Sequence, residues 1–298
     1  MSIFDVFKKK TVVNTEITTT TTTTVTETTK EGAPEPPACE HHDRTPHGEK
    51  PKALDKVAPK HIGRLDMVIA FDTTGSMAAY IDAVRQEVAD LIPTLFADNP
   101  DLRLGIVAFG DYCDMKNAQE FGKAYQCLMP TDNENEIIRF IRESEITSGG
   151  DGDEFYELVL KKIVEDTPWR EGSTRSILLI SDADPHPLGY TYKNHVVNNT
   201  IDWREVARHA AREMIKIDTV TITNAAWYKE LSAMTNGVSV PFRTGGKTAR
   251  LVEASVNSRG SMASRAKFRA FKAMVDNEDD LELRAVYEAY EDEAECDL

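Results

Sequence analysis

The sequence predicts an α/β fold: a doubly wound, mostly parallel sheet of six strands flanked by helices. Three observations carry this prediction. Apolar runs of strand length, LDMVIAF (65–71) and SILLIS (176–181), lack an alternating polar face, as in strands covered on both sides. Segments with apolar residues at helical spacing lie between such runs. The order is strand, helix, strand, strand, then alternating helices and strands, which suits parallel pairing through crossovers.

The elements follow in turn. LDMVIAF is the first strand. MAAYIDAVRQEVADLIPTLF (77–96) is a helix, with Tyr80, Ile81, Val84, Val88, Leu91, Ile92 and Leu95 in one stripe. A second strand ends near Phe109, and a short third lies around 125–129. The helix at 134–144 opens with acids, which suit the positive end of a helix. A glycine-rich loop, TSGGDGDE, leads into a helix that runs to about 165. SILLIS is the fourth strand, followed by a long loop over 183–201. Helix signals resume at 202–216 with Asp202 as N-cap. DTVTIT is a strand, WYKELSAMT a short helix, VSVPF a last strand and KTARLVEASVNS a helix. These boundaries give a Thr/Pro-rich tail and linker at 1–63, a domain at 64–258, a C-terminal helix at 259–275 and an acidic tail at 276–298.

Composition narrows the function classes. A hydrophobic fraction of 41% is compatible with a sizeable core. No apolar run approaches the roughly 18–20 residues that span a bilayer. MSIFDVFKKK places apolar residues before basic ones, the reverse of a secretory signal, and its second residue is not Gly. A soluble, cytoplasmic protein is expected, with no membrane partner. Cys39, Cys113, Cys127 and Cys296 are scattered and form no C-x-x-C pair, so they read as free thiols. Cys39 with His41, His42 and His47 matches no standard zinc spacing.

The net charge is −15, and residues 276–298 supply −10 of it, eleven acids against Arg284. No basic stripe suits DNA or RNA. The acidic segment fits a basic partner, self-masking of a site, or solubility alone. The near-pure threonine stretch in TEITTTTTTTVTETT has no apolar face to offset its ordering entropy, and a Pro-rich linker follows; the N-terminal tail is expected to be disordered. MSIFDVF is an apolar knob that fits either a docking segment or a frayed terminus.

In open α/β sheets, sites form at the carboxyl ends of strands where the order reverses. Asp72 follows the first strand and Asp182 the fourth. In DTTGSM (72–77), Gly75 permits a tight turn, and Thr74 and Ser76 are spaced so that their hydroxyls converge. Carboxylates with hydroxyls form an all-oxygen set suited to Mg²⁺, with Mn²⁺ or Ca²⁺ as relatives. The hexapeptide alone fits a Ser-capped turn equally well.

With Asp182 in LLISDADPHP added, the sequence resembles the von Willebrand factor A-like family over residues 64–258. That resemblance implies a metal-ion-dependent adhesion site of pattern D-x-S/T-x-S, a Thr from a second loop and an Asp after the fourth strand. It places Thr74 and Ser76 on the ion, with Asp72 and Asp182 bound directly or through water. The second loop departs from the pattern: SGGDGDE puts Asp151 where the Thr is expected, and Thr147 is the alternative hydroxyl. Asp151 and Asp153 also fit a solvated turn. A third carboxylate would strengthen metal binding and weaken attraction for an incoming acid. Asp111 and Asp114 fit either the rim of the site or a capped turn. His186 fits either a ligand contact or a loop residue.

No nucleophile elbow, phosphate loop or H-E-x-x-H motif is present in the sequence. The resemblance implies a metal-dependent interaction module with a protein partner, for which an acidic side chain at the metal is one mode of contact, and the long Thr/Pro tail suggests a tethered adaptor or assembly factor. The alternatives are a structural subunit with a stabilising ion and a metal-assisted phosphohydrolase.

Overall fold

The computed structural model describes residues 63–193, 197–241, 247–276 and 280–296. The Thr/Pro-rich tail, with Cys39 and its neighbouring histidines, lies outside the described residues.

Six strands form one sheet: β1 (Leu65–Asp72), β2 (Leu102–Phe109), β3 (Tyr125–Thr131), β4 (Thr174–Ser181), β5 (Ile215–Thr221) and β6 (Ser239–Pro241). Their spatial order is β6-β5-β4-β1-β2-β3, and all pairs are parallel except β2 with β3. The predicted doubly wound sheet is therefore present. The chain steps from β1 to β2 in one direction and reaches β4 on the other side of β1, so the order reverses between β1 and β4.

β1 is buried along its whole length, as its unbroken apolar run requires. Its odd positions, Leu65, Met67, Ile69 and Phe71, join a core with α1 (Ala78–Asp98) and α2 (Glu134–Glu143). Val68 and Ala70 join the opposite core with α3 (Tyr156–Asp166), α4 (Trp203–Arg212) and α5 (Ala226–Met234). Asp202 caps α4 as expected, accepting from the Arg204 backbone N–H at 2.9 Å.

Two boundaries differ from expectation. The helix expected through residue 216 stops at Arg212, because Met214 turns left-handed (φ 54°) and releases Ile215 and Ile217 into β5. Both isoleucines are fully buried beside β4, so strand burial overrides a helical charge pattern.

The larger difference lies at the C-terminus. After α6 (Thr248–Arg259) and α7 (Met262–Val275), the segment read as an acidic tail contains α8 (Leu281–Cys296). Leu283, Val286, Tyr287 and Tyr290 repeat at helical spacing and bury against the core of α1, α6 and α7. Glu288 and Asp292 are exposed on this helix, and the net charge of the segment concealed its apolar stripe. Beneath it, Asp218 of β5 is fully buried and bonded to Arg259, Ser255 (2.7 Å) and the Tyr290 hydroxyl (3.0 Å). No helix among the described residues is long and apolar enough to cross a membrane.

Candidate metal centre

The carboxyl end of β1 carries Asp72, which is fully buried. Its Oδ1 accepts from the Thr74 backbone N–H at 2.7 Å, and its Oδ2 accepts from the Tyr156 hydroxyl at 2.6 Å. The first bond is an Asx-type turn that folds Thr74 back over the strand end. Thr74 Oγ1 and Ser76 Oγ lie 3.2 Å apart, and the Ser76 hydroxyl donates to Asp182 Oδ1 at 3.2 Å. Asp72, Thr74, Ser76 and Asp182 thus meet at the point where the strand order reverses. The capped-turn alternative is not realised, because neither the short 3₁₀ turn Gly75–Met77 nor α1 has a side-chain cap bond at its start.

Asp151 belongs to a different group. Its Oδ2 accepts from the Tyr190 hydroxyl at 3.0 Å, and its Oδ1 accepts from the Asp153 backbone N–H at 3.3 Å. Asp111, Asp151 and His186 each offer a donor atom, and these atoms lie within 4.8 Å of one another. His186 Nε2 is 2.8 Å from Asp111 Oδ1, with both side chains fully buried. The His186 ring stacks on Tyr190 at 3.8 Å. Burial pushes the imidazole toward its neutral form, but the Asp111 carboxylate outweighs this and raises its pKa.

Thr147, the alternative hydroxyl, is also directed elsewhere. Thr73 Oγ1 donates to the Phe109 carbonyl at 2.7 Å, so the Thr147 hydroxyl donates to Thr73 at 2.9 Å. Thr147 thereby ties its loop to the ends of β1 and β2. Asp114 holds the next residues: its carboxylate accepts from the Ser148 and Gly149 backbone N–H groups at 2.9 and 3.1 Å. Asp111 and Asp114 also form a reciprocal capping box. Asp153 pairs with Asp184 in a short parallel bridge.

The carboxylate that the second loop sends toward Thr74 is Glu154, which the sequence reading missed. It is 3% exposed, and its Oε2 is buried without a hydrogen-bond partner among the described residues. Its Oε1 lies 2.8 Å from where a Cβ on Gly149 would sit, and the Thr74 Cβ lies 3.3 Å from the same point. Gly149 has φ 68°, so it provides both the left-handed turn and the room for this carboxyl. The signal in the sequence is the Gly-Gly pair itself: it marks a close approach, and the acid that uses the space follows at the end of the loop.

These carboxyls resist ionisation. Burial raises the Asp72 pKa to about 6; the bonds from Tyr156 and Thr74 limit the rise and the Asp182 charge adds to it. Asp182 is also raised, chiefly by burial. Glu154 is pushed up to about 9 by burial and by the charges of Asp72 and Asp111. Among the described residues, no lysine or arginine forms an ion pair with any of the three. Asp72, Asp182 and Glu154 with the Thr74 and Ser76 hydroxyls form an all-oxygen set, and the unpartnered Glu154 oxygen is of the kind that a cation satisfies.

The chain is 29% identical over 130 residues to the alpha-protein kinase vwkA of Dictyostelium discoideum, covering 42% of this chain and 19% of that protein. It is 22% identical over 185 residues to the putative ariadne-like RING finger protein R811 of Acanthamoeba polyphaga mimivirus, covering 58% of this chain and 18% of that one. The chain thus spans less than a fifth of the length of either relative. A solved structure of the conserved hypothetical protein BatB from Bacteroides thetaiotaomicron aligns with TM-score 0.43 and 14% identity, over 63% of this chain and 95% of that one. The family model for the von Willebrand factor type A domain matches residues 66–246, well over half of the sequence. The chain belongs to the von Willebrand factor type A domain family.

Proposed function

We propose that this domain is a divalent-metal-dependent protein-interaction module, an adaptor or assembly factor rather than an enzyme, working in the reducing cytoplasm. Asp72, Thr74, Ser76 and Asp182 would hold the ion, with Mg²⁺ the expected occupant. One observation carries the reading: the buried Asp72 and half-buried Asp182 carboxyls converge with two hydroxyls and, among the described residues, have no basic partner. Such a cluster is costly without a cation, and a hard ion matches its all-oxygen donors. Family membership supports the same reading, because domains of this type commonly mediate protein contacts and often hold a divalent ion. The bound ion would supply a Lewis-acidic position for an oxygen donor of a partner. The chain's own part is to fix the two hydroxyls: Asp72 folds the Thr74 turn, Tyr156 anchors Asp72, and Asp182 orients Ser76.

Calorimetry tests the reading. Mg²⁺ or Mn²⁺ should raise the melting temperature, by about 2.7 kcal/mol of stability at a hundredfold excess over Kd. Asp72→Ala should abolish the shift, and a wild-type protein with no metal response overturns the reading. A second location is favoured by the converging donors of Asp111, Asp151 and His186. Its mixed nitrogen and oxygen set suits a softer ion such as Zn²⁺. A Zn²⁺ response lost in His186→Ala, with the Mg²⁺ response retained, would assign it separately.

A further inference from the structure

We propose that Glu154 is itself a ligand of the ion, resting on the metal reading above, and that its added charge makes the coordination place left for a partner unfavourable to a carboxylate. The partner would then be recognised through a neutral oxygen donor with basic groups beside it.

Several observations converge on this assignment. Glu154 enters from the glycine loop and comes up against Thr74. Its carboxyl contacts the space left by Gly149, and the Thr74 hydroxyl stabilises its charged form. Its second oxygen is buried with no hydrogen-bond partner among the described residues, which is costly for an acid that serves only as packing. The backbone that carries it is fixed: the His186 N–H donates to the Glu154 carbonyl at 3.3 Å, and Asp153–Glu154 bridges to Asp184–Pro185. Gly150 allows the loop to close, since a Cβ there would come within 2.9 Å of the Cys113 Cβ. Thr147 and Asp151, the other groups the loop could send, are bonded elsewhere.

The charge balance then changes the partner. Asp72, Asp182 and Glu154 together outweigh a divalent ion by one negative charge. Asp151 and Asp184 are exposed acids close to Asp153, the residue before Glu154. An incoming carboxylate meets net repulsion there, while an amide, hydroxyl or carbonyl oxygen flanked by lysine or arginine does not.

Mn²⁺ tests this on the full chain, with water-proton relaxation as the readout and acetate as the carboxylate probe. The wild type should bind Mn²⁺ with few exchangeable waters, and acetate should leave the relaxivity unchanged. Glu154→Gln keeps the shape and removes the charge. It should weaken Mn²⁺ binding by about tenfold or more and should let acetate displace water. Glu154→Asp, which shortens the side chain, should raise the hydration of the bound ion. Mn²⁺ binding that is lost in Asp72→Ala but indifferent to Glu154→Gln, or wild-type Mn²⁺ that takes up acetate, overturns this assignment alone. A wild type that binds no Mn²⁺ overturns the metal reading and this assignment with it.

Discussion

Asp66 and Asp72 lie on the same face of the same strand, both fully buried, and their surroundings treat them in opposite ways. At the amino end, Arg103 bonds Asp66 at 3.0 and 2.8 Å, and Arg170 adds its side chain and backbone N–H, each at 2.7 Å. Burial alone would raise this carboxyl; the two arginines hold it below the usual range. At the carboxyl end, Asp72 has only neutral donors and a second acid nearby, and its pKa rises to about 6. A buried acid matched by a guanidinium is a structural brace, complete within the chain. A buried acid matched only by neutral hydroxyl and backbone N–H donors keeps its charge uncompensated within the chain, which is the place the proposed ion would take.

The largest expected effect comes from removing a matched cation. Asp218 repeats the Asp66 arrangement deeper in the fold, where burial would raise the carboxyl but Arg259 holds it low. Arg259→Ala should cost about 3–5 kcal/mol in urea unfolding, because it strands a buried charge. Next comes the paired comparison along β1, measured by unfolding in chelator. Asp66→Asn should lose roughly 1–3 kcal/mol, whereas Asp72→Asn should lose little because it relieves an unpaired acid. Equal losses at the two positions would break the contrast between the two ends.

The smallest effect is one of pH. Glu157 in the first turn of α3 is fully buried, and burial raises its pKa to about 7 although Tyr112 donates to it at 2.8 Å. Between its unfolded value of 4.5 and about 7, the folded state holds more protons than the unfolded one. Its contribution to stability therefore falls as pH rises through that window. Asp66 has the opposite sign: its contribution is present above the unfolded value of 3.8 and is lost as acid titrates the folded carboxylate below it. Urea curves in chelator at pH 5 and pH 8 should show Glu157→Gln gaining on the wild type at the higher pH, while Asp66→Asn should keep a constant deficit.

What could be read from the sequence follows the range of the physics involved. Strand order and the meeting of Asp72, Thr74, Ser76 and Asp182 were legible because an unbroken apolar strand places the next residue at the sheet edge. The second loop was not. Asp151 stands where a linear count puts it, but the left-handed Gly149 redirects the chain, so Asp151 meets Tyr190 and His186 while Glu154 reaches Thr74. Loop geometry depends on backbone angles and contacts that no periodicity encodes. The C-terminal helix was concealed for a different reason. Its apolar stripe has helical spacing, but eleven acids between 276 and 298 dominate any reading by charge.

The bond between Arg259 and Asp218 also sets how far the folding unit extends. The family match ends at residue 246, yet the cation that neutralises the buried β5 aspartate is contributed by α6, and Tyr290 of α8 seals it from above. A chain cut at the family boundary would keep every strand and every group at the metal end, yet leave a naked charge in its centre. Recombinant work that trims the protein to its recognised domain should therefore yield aggregates, and a binding test on such a fragment would report on misfolding instead of on the metal.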